Sequence, residues 1–281
     1  MEEVFLEVKK MEYIDDERLV RNRIGRKLFY NTWRYGFFAP LARMCLDING
    51  GDKEKGGLEN LPDRSCMLAN HHCFSFDWMA LCYLFDKKVH GWFDTRVFNP
   101  HKRFCELGEL IPVRTQFADA RRELRGAYEL VKKISKVWFD NTNEIVMANI
   151  DGPSELSIEN GKVVELEERK MTPWPSNVVM DIYQDSVKRG GIREDIPILT
   201  YSAWVPEQHR DSLFVSHGLK QAMKYLFRNR KIPYFFQVSE PIYPSDFKNK
   251  RELAEEVKNR QIEGYNGAKG RGMDYLKRLR F

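Results

Sequence analysis

The chain has no apolar run near the roughly 18 to 20 residues that cross a bilayer, so no membrane-spanning helix is expected. Cysteine is scarce. The five, Cys45, Cys66, Cys73, Cys82 and Cys105, are an odd number with no Cys-x2-Cys pair among them. That argues against a disulfide framework and points to reduced, mostly buried thiols of a cytoplasmic protein. His71, His72, Cys73 and Asp77 are all metal-ligating types, but no second cluster at ligand-like spacing lies nearby, and no metal is expected. Internal repeats and low-complexity tracts are also missing. The first residues, Met1-Glu2-Glu3-Val4, are acidic where a secretory signal would be basic. The expectation is a cytoplasmic protein.

Charge of one sign is not in large excess: 46 Lys and Arg stand against 41 Asp and Glu, a net of +5. The surplus is uneven. From Gly218 to Phe281 there are 15 basic and 7 acidic residues, which makes the C-terminal segment the basic face. Such a face attracts anionic partners: anionic lipid, an acidic protein or phosphate groups. No nucleic-acid recognition motif accompanies it, and nucleic acid is not an expected partner.

With 281 residues, 42% of them hydrophobic, the chain can bury a sizeable core. Apolar periodicity predicts strands near 45–49, 65–69, 110–114, 144–150, 196–203 and 232–240. It predicts helices near 76–87, 118–139, 176–189, 217–229 and 250–262. This alternation implies the α/β class: a single domain over 44–281 with a largely parallel mixed sheet covered by helices, preceded by a helical N-terminal arm, 1–43. The polar stretch from Ser154 to Pro175 reads as a lid or binding loop.

In the arm, Phe29, Trp33, Phe37 and Leu41 recur every fourth position between Arg26 and Arg43. Such an aromatic stripe flanked by cations suits a helix lying in a headgroup layer. The same spacing suits a helix packed on the protein's own core, and Gly36 and Pro40 oppose a continuous helix. Both readings pass to the structure.

The chemistry concentrates at strand ends. In Ala69-Asn70-His71-His72-Cys73-Phe74-Ser75-Phe76-Asp77, a short buried strand precedes His72, and Asp77 falls in the first turn of an apolar helix. A carboxylate there is favoured by the helix dipole and can orient an imidazole whose other nitrogen faces a substrate, which makes His72 a candidate general base. A histidine that merely caps the helix is the plainer alternative. Gly108-Glu109-Leu110-Ile111-Pro112-Val113-Arg114 is a glycine entering a short strand that delivers an arginine, suited to gripping an oxyanion or to a salt bridge at the sheet edge. A further strand ends in Asp151-Gly152, and Ile196-Pro197-Ile198 opens another.

In this order the motifs resemble those of the phospholipid and glycerol acyltransferase family, the lysophosphatidic acid acyltransferase-like enzymes. Gly57-Leu58-Glu59-Asn60-Leu61-Pro62 is similar to the lead-in, and His72 to Asp77 to the His-x4-Asp box. Gly108 to Arg114 matches the second motif, Asp151-Gly152 the third, Ile196-Pro197-Ile198 the fourth, and Ser239-Glu240-Pro241-Ile242 the late Gly-Glu-Pro strand.

The resemblance implies an O-acyltransferase that moves a fatty acyl group from an acyl thioester, carried by coenzyme A or acyl carrier protein, to the hydroxyl of a lysophospholipid or related lipid. It implies that His72 and Asp77 are catalytic, that Arg114, Gly108, Asp151 and Gly152 bind the acceptor's phosphate, and that backbone amides around Cys73 to Phe76 stabilise the oxyanion. No bound cofactor is implied. The expected location is peripheral, on the inner face of a membrane. Two positions depart from the family pattern. His71 stands between Asn70 and His72, either bracing the turn or competing as base, and the third motif reads Asp151-Gly152-Pro153-Ser154 instead of Glu-Gly-Thr-Arg. A non-catalytic acyl-lipid-binding relative, or an N-acyltransferase or thioesterase using the same pair, are the alternatives.

Overall fold

The computed structural model describes residues 31–71, 77–94, 111–113, 121–141, 143–151, 158–159, 162–190, 195–213, 219–229 and 231–279. The described arm begins with helical residues 31–33 and continues through a π-helical turn, Arg34–Phe38, into α1, Ala39–Cys45. Pro40 supplies no N–H to an α-helical ladder, and just before it the Ala39 N–H reaches back five residues to the Arg34 carbonyl. The wider turn shifts the helical phase and splits the aromatic stripe. Leu41 enters the core at 6% exposure, whereas Tyr35 at 59% and Phe37 at 42% face outward. Trp33 is half-buried beside Phe37, with ring centroids 5.5 Å apart, and Phe29 lies outside the described residues.

Among the described residues nine strands follow: β1 Leu46–Ile48, β2 Cys66–Asn70, β3 Val89–Asp94, β4 Ile111–Val113, β5 Ile145–Asn149, β6 Ile158–Glu159, β7 Lys162–Val163, β8 Ile198–Trp204 and β9 Ile232–Val238. The helices after α1 are α2 Asp77–Leu84, α3 Arg121–Asn141, α4 Trp174–Lys188, α5 Glu207–Leu213, α6 Leu219–Arg228 and α7 Lys250–Leu279. Seven strands form one sheet in the order β1-β9-β8-β2-β5-β3-β4, and β6 and β7 make a separate hairpin. Every pairing in the large sheet is parallel except β8 with β9. This is the α/β architecture with a mostly parallel mixed sheet that the alternation predicts.

Strand residues alternate between two cores, as the two-residue period of a strand requires. Cys66 and Leu68 of β2, Ile145 and Met147 of β5, and Leu199, Tyr201 and Ala203 of β8 pack with α1 and α2. Met67 and Ala69 of β2 and Val146 and Ala148 of β5 pack with α3, α4 and the first turns of α7. Both faces are therefore covered, which is why these strands are apolar throughout. The buried guanidinium of Arg34 donates to the carbonyls of Cys82, Phe85 and Asp86, closing the C-terminal end of α2 and tying the arm to the sheet's helical layer.

The short helix α5 and the β6–β7 hairpin are not among the predicted elements, and β3 and α7 differ from the sequence expectation more informatively. β3 is unannounced because His90 and Gly91 interrupt its apolar run, yet His90 is fully buried, stacked on Trp138 with centroids 3.9 Å apart and donating to Glu144 at 2.5 Å. Helix α7 continues to Leu279, past the predicted end at 262, through Gly264, Gly267, Gly270 and Gly272. Glycine weakens a helix, but a Cβ at Gly264 would sit 2.8 Å from Ser202 Oγ and one at Gly272 2.3 Å from the Trp204 ring. Close packing on β8 and β9 outweighs propensity here.

Because β1 and β9 oppose the other five strands, their first residues lie at the same edge of the sheet as the last residues of β8, β2 and β5. That edge gathers the chemistry.

Candidate functional site

The last residues of β2 and β5 are joined side by side, with Asn70 Nδ2 donating to Asn149 Oδ1 at 2.8 Å and the Ile150 N–H to the Asn70 carbonyl at 2.7 Å. His71 and Asp151 follow at this edge. Asp77 opens α2 in its first turn and is buried, at 6% exposure. A carboxylate at that place is favoured by the helix's N-terminal dipole. Its expected partner His72 lies outside the described residues, as do Gly108, Arg114 and Gly152.

His71 is engaged at both ring nitrogens. Nε2 lies 3.0 Å from the Ala203 carbonyl, which can only accept, and Nδ1 lies 2.9 Å from Gln261 Nε2, which can only donate. These partners assign the neutral Nε2–H tautomer. A base needs a lone pair facing substrate, and the lone pair on Nδ1 is turned toward the buried amide of Gln261. His71 is thus a brace between β2, β8 and α7.

Asp151 is fully buried and receives the guanidinium of Arg169 at 2.7 Å, while Arg169 Nε donates to the Val164 carbonyl. Arg169 belongs to the segment after β7 that the sequence suggests is a lid. Its described part is fastened instead: Leu166 is wholly buried, and the Thr172 N–H donates to the Ile150 carbonyl at 2.5 Å. Glu165 adds a second clamp, accepting from Arg210 of α5 at 2.9 Å and from Tyr265 and Lys269 of α7 at 2.5 Å and 3.2 Å.

Partial burial pushes the Glu165 carboxyl up, but hydrogen bonds from Tyr265 and Arg210, with the Arg210 charge and Lys269, outweigh it and hold the group at about 2. A carboxyl whose folded value is depressed stabilises the fold above its ordinary pKa, and the contribution disappears as pH falls through the folded value. The gap in melting temperature between the parent and a Glu165→Gln variant is expected to be constant above about pH 5 and to close between about pH 4.5 and 2. A gap that does not vary with pH would remove the ionised clamp.

No family model matches the chain, and no curated protein does. Among solved structures it is similar to the 1-acyl-sn-glycerophosphate (LPA) acyltransferase, PlsC, from Thermotoga maritima, at 19% identity over 76% of this chain and 69% of that one, with a TM-score of 0.40. So distant a likeness transfers nothing about function, which rests on this chain's own residues.

The late motifs serve the frame more than the site. Ile196-Pro197-Ile198 leads into β8 at the far edge, where Pro197 accepts from the Met67 N–H, and Ile242 bridges back to Ile198. Asn60 of the lead-in donates to the Val238 carbonyl at the end of β9. Gln261, Tyr265, Glu165 and Arg169 escape the motif reading. Gln261 had a signal: it falls in the stripe Leu253, Val257, Gln261, Gly264, Ala268, where its neighbours are small or apolar. A polar residue in an inward stripe marks a buried hydrogen-bonding task. Among the described residues no cluster of three or more His, Cys, Asp or Glu could hold a metal ion.

Proposed function

We propose that the protein is an O-acyltransferase that moves a fatty acyl group from an acyl thioester to the hydroxyl of a lysophospholipid or related amphiphile. The observation that carries this reading is the buried Asp77 at the start of α2, six residues after a His71 whose two ring nitrogens both face protein partners. His72 is then the histidine of the box left to act as base. It takes the acceptor's hydroxyl proton as that oxygen attacks the thioester carbonyl, and Asp77 stabilises the imidazolium. Collapse of the tetrahedral intermediate breaks the carbon–sulfur bond, and the departing thiolate takes up the proton. Arg114 is assigned to the acceptor's anionic group.

Asp151 is assigned a different task from the anion contact that the family resemblance implies. Its carboxylate is paired with Arg169, so it ties the segment after β7 to the end of β5. The deciding experiment supplies purified protein with labelled acyl-coenzyme A or acyl carrier protein and a panel of lysolipids, amines and water. Transfer to a lysolipid hydroxyl supports the reading. Transfer to an amine or to water alone, or acyl binding without turnover, replaces it with the corresponding alternative.

The same reading places the protein peripherally on an anionic membrane. Among the described residues no helix is long and apolar enough to cross one. A shallow groove of about 600 Å³ runs along α1, lined by Tyr35, Ala39, Pro40, Met44 and Tyr83 together with the cations Arg43 and Lys231. Outward Tyr35 and Phe37, the first of them lining the groove with these cations, suit a headgroup layer. Many cations of α7 are taken up locally instead: Arg251 by Glu255, Arg260 by Glu256 and Lys277 by Asp274. At about 25 cal/mol per Å², two aromatic side chains contribute a few kcal/mol to interface binding. A Tyr35→Glu, Phe37→Glu double variant should bind vesicles containing anionic lipid roughly 10- to 100-fold more weakly, and salt should weaken the parent. Unchanged sedimentation of a folded double variant would take the contact away from the arm.

A further inference from the structure

We propose that Gln261 and Tyr265 of α7 are positioning residues for the candidate base, holding His71, and with it the backbone from which His72 departs, in a single orientation. The inference rests on the reading of His72 as base and goes beyond it by assigning a task to a helix that holds none of the motifs.

The His71 ring is fixed from three directions. Its Nε2–H donates to the Ala203 carbonyl of β8, its Nδ1 accepts from Gln261, and the Tyr265 ring meets it edge-on at 5.6 Å and 86°. Each of these supports is itself held. The two hydrogens of Gln261 Nε2 are shared among three acceptors, His71 Nδ1 at 2.9 Å, the Tyr201 carbonyl at 2.7 Å and Ser202 Oγ at 2.8 Å, and Ser202 Oγ gives its own proton to the Gln261 carbonyl at 2.7 Å. The Tyr265 hydroxyl donates to Glu165, which Arg210 and Lys269 hold in turn.

A purely structural helix face would place an apolar residue at 261. Gln261 is wholly buried, and its Oε1 has no hydrogen-bond partner among the described residues. Keeping a buried amide with an unmet acceptor is costly, so what the position uses is the donating end, turned toward His71. His71 is peptide-bonded to His72, and a base displaced by about 1 Å loses on the order of 100-fold in rate.

The test uses the full chain with labelled palmitoyl-coenzyme A and the lysolipid panel, reading kcat, both KM values, pH profile and melting temperature. Gln261→Met keeps length and removes the donor, and it is expected to lower kcat about tenfold or more with both KM values within about twofold. Tyr265→Leu should also lower kcat, whereas Tyr265→Phe, which keeps the ring edge, should retain most of it.

Should the Met variant fail to fold, Gln261→Glu decides. Its carboxyl can hold His71 Nδ1 only while one proton is shared between them, so kcat should approach the parent's at low pH and fall as pH rises, a basic limb absent from the parent. Around the ring, α7 and the clamp present Tyr265, Lys269, Glu165 and Arg210, β8 presents the Ala203 carbonyl, and Asp77 and Asp151 share the edge. All of these are common to parent and variant. A Met variant with kcat within twofold of the parent, or a Glu variant whose pH profile overlays the parent's, overturns the positioning role. His72→Ala inactivity alongside that result leaves the base assignment standing. An active His72→Ala, or a parent that turns over nothing in the panel, sinks the base reading and this inference together.

Discussion

His72→Ala is expected to lower acyl transfer by about 10²- to 10⁴-fold while the protein stays folded, because general-base catalysis is worth that much and the side chain is assigned to the substrate. Asp77→Asn should be similarly impaired, since an amide can bond the ring but cannot stabilise its positive form. His71→Ala should fail differently. It removes a ring that joins β2, β8 and α7, so its first effect is on stability, with a smaller loss of rate in the protein that remains folded. Kinetics and melting curves on the three variants separate these outcomes. If His71→Ala were dead but fully stable and His72→Ala active, the two histidines would have to exchange roles.

Arg169→Ala is expected to be the most destabilising single change described. It leaves Asp151 fully buried without its guanidinium, and stripping one partner from a buried pair costs about 3–5 kcal/mol. For a chain of this size that is a fall in melting temperature of roughly 10 °C. Asp151→Leu added to an Arg169→Met background should recover most of the loss, because two apolar side chains can fill the space without an unpaired charge. A melting temperature within about 1 °C of the parent for Arg169→Ala would mean that the pair does not hold the segment in solution.

How far the sequence could be read depended on whether the information was local. β2 and β5 are continuous apolar runs, and their length and flanking turns were enough to locate them. Asp77 at the head of α2 was legible for the same reason, since spacing to a strand end needs only neighbouring residues. β3 was hidden by His90, whose burial depends on Trp138 and Glu144, about fifty residues away. The length of α7 was hidden because its glycines look like a stop until Ser202 and Trp204 are seen against them. At the site, the replacement of Glu-Gly-Thr-Arg by Asp151-Gly152-Pro153-Ser154 read as the loss of an arginine. Arg169, which meets Asp151 from eighteen residues on, belongs to no short motif.

The contact between Gln261 and His71 spans 190 positions of the chain. Contacts of such long sequence separation form only after the intervening chain has been closed into place, and they slow folding. During synthesis, the motif around His71 emerges long before α7 does. A growing chain can therefore complete β2 and the head of α2 while the ring that α7 secures still lacks its partner. Proteolytic removal of α7 would return the protein to that unfinished condition with every motif intact.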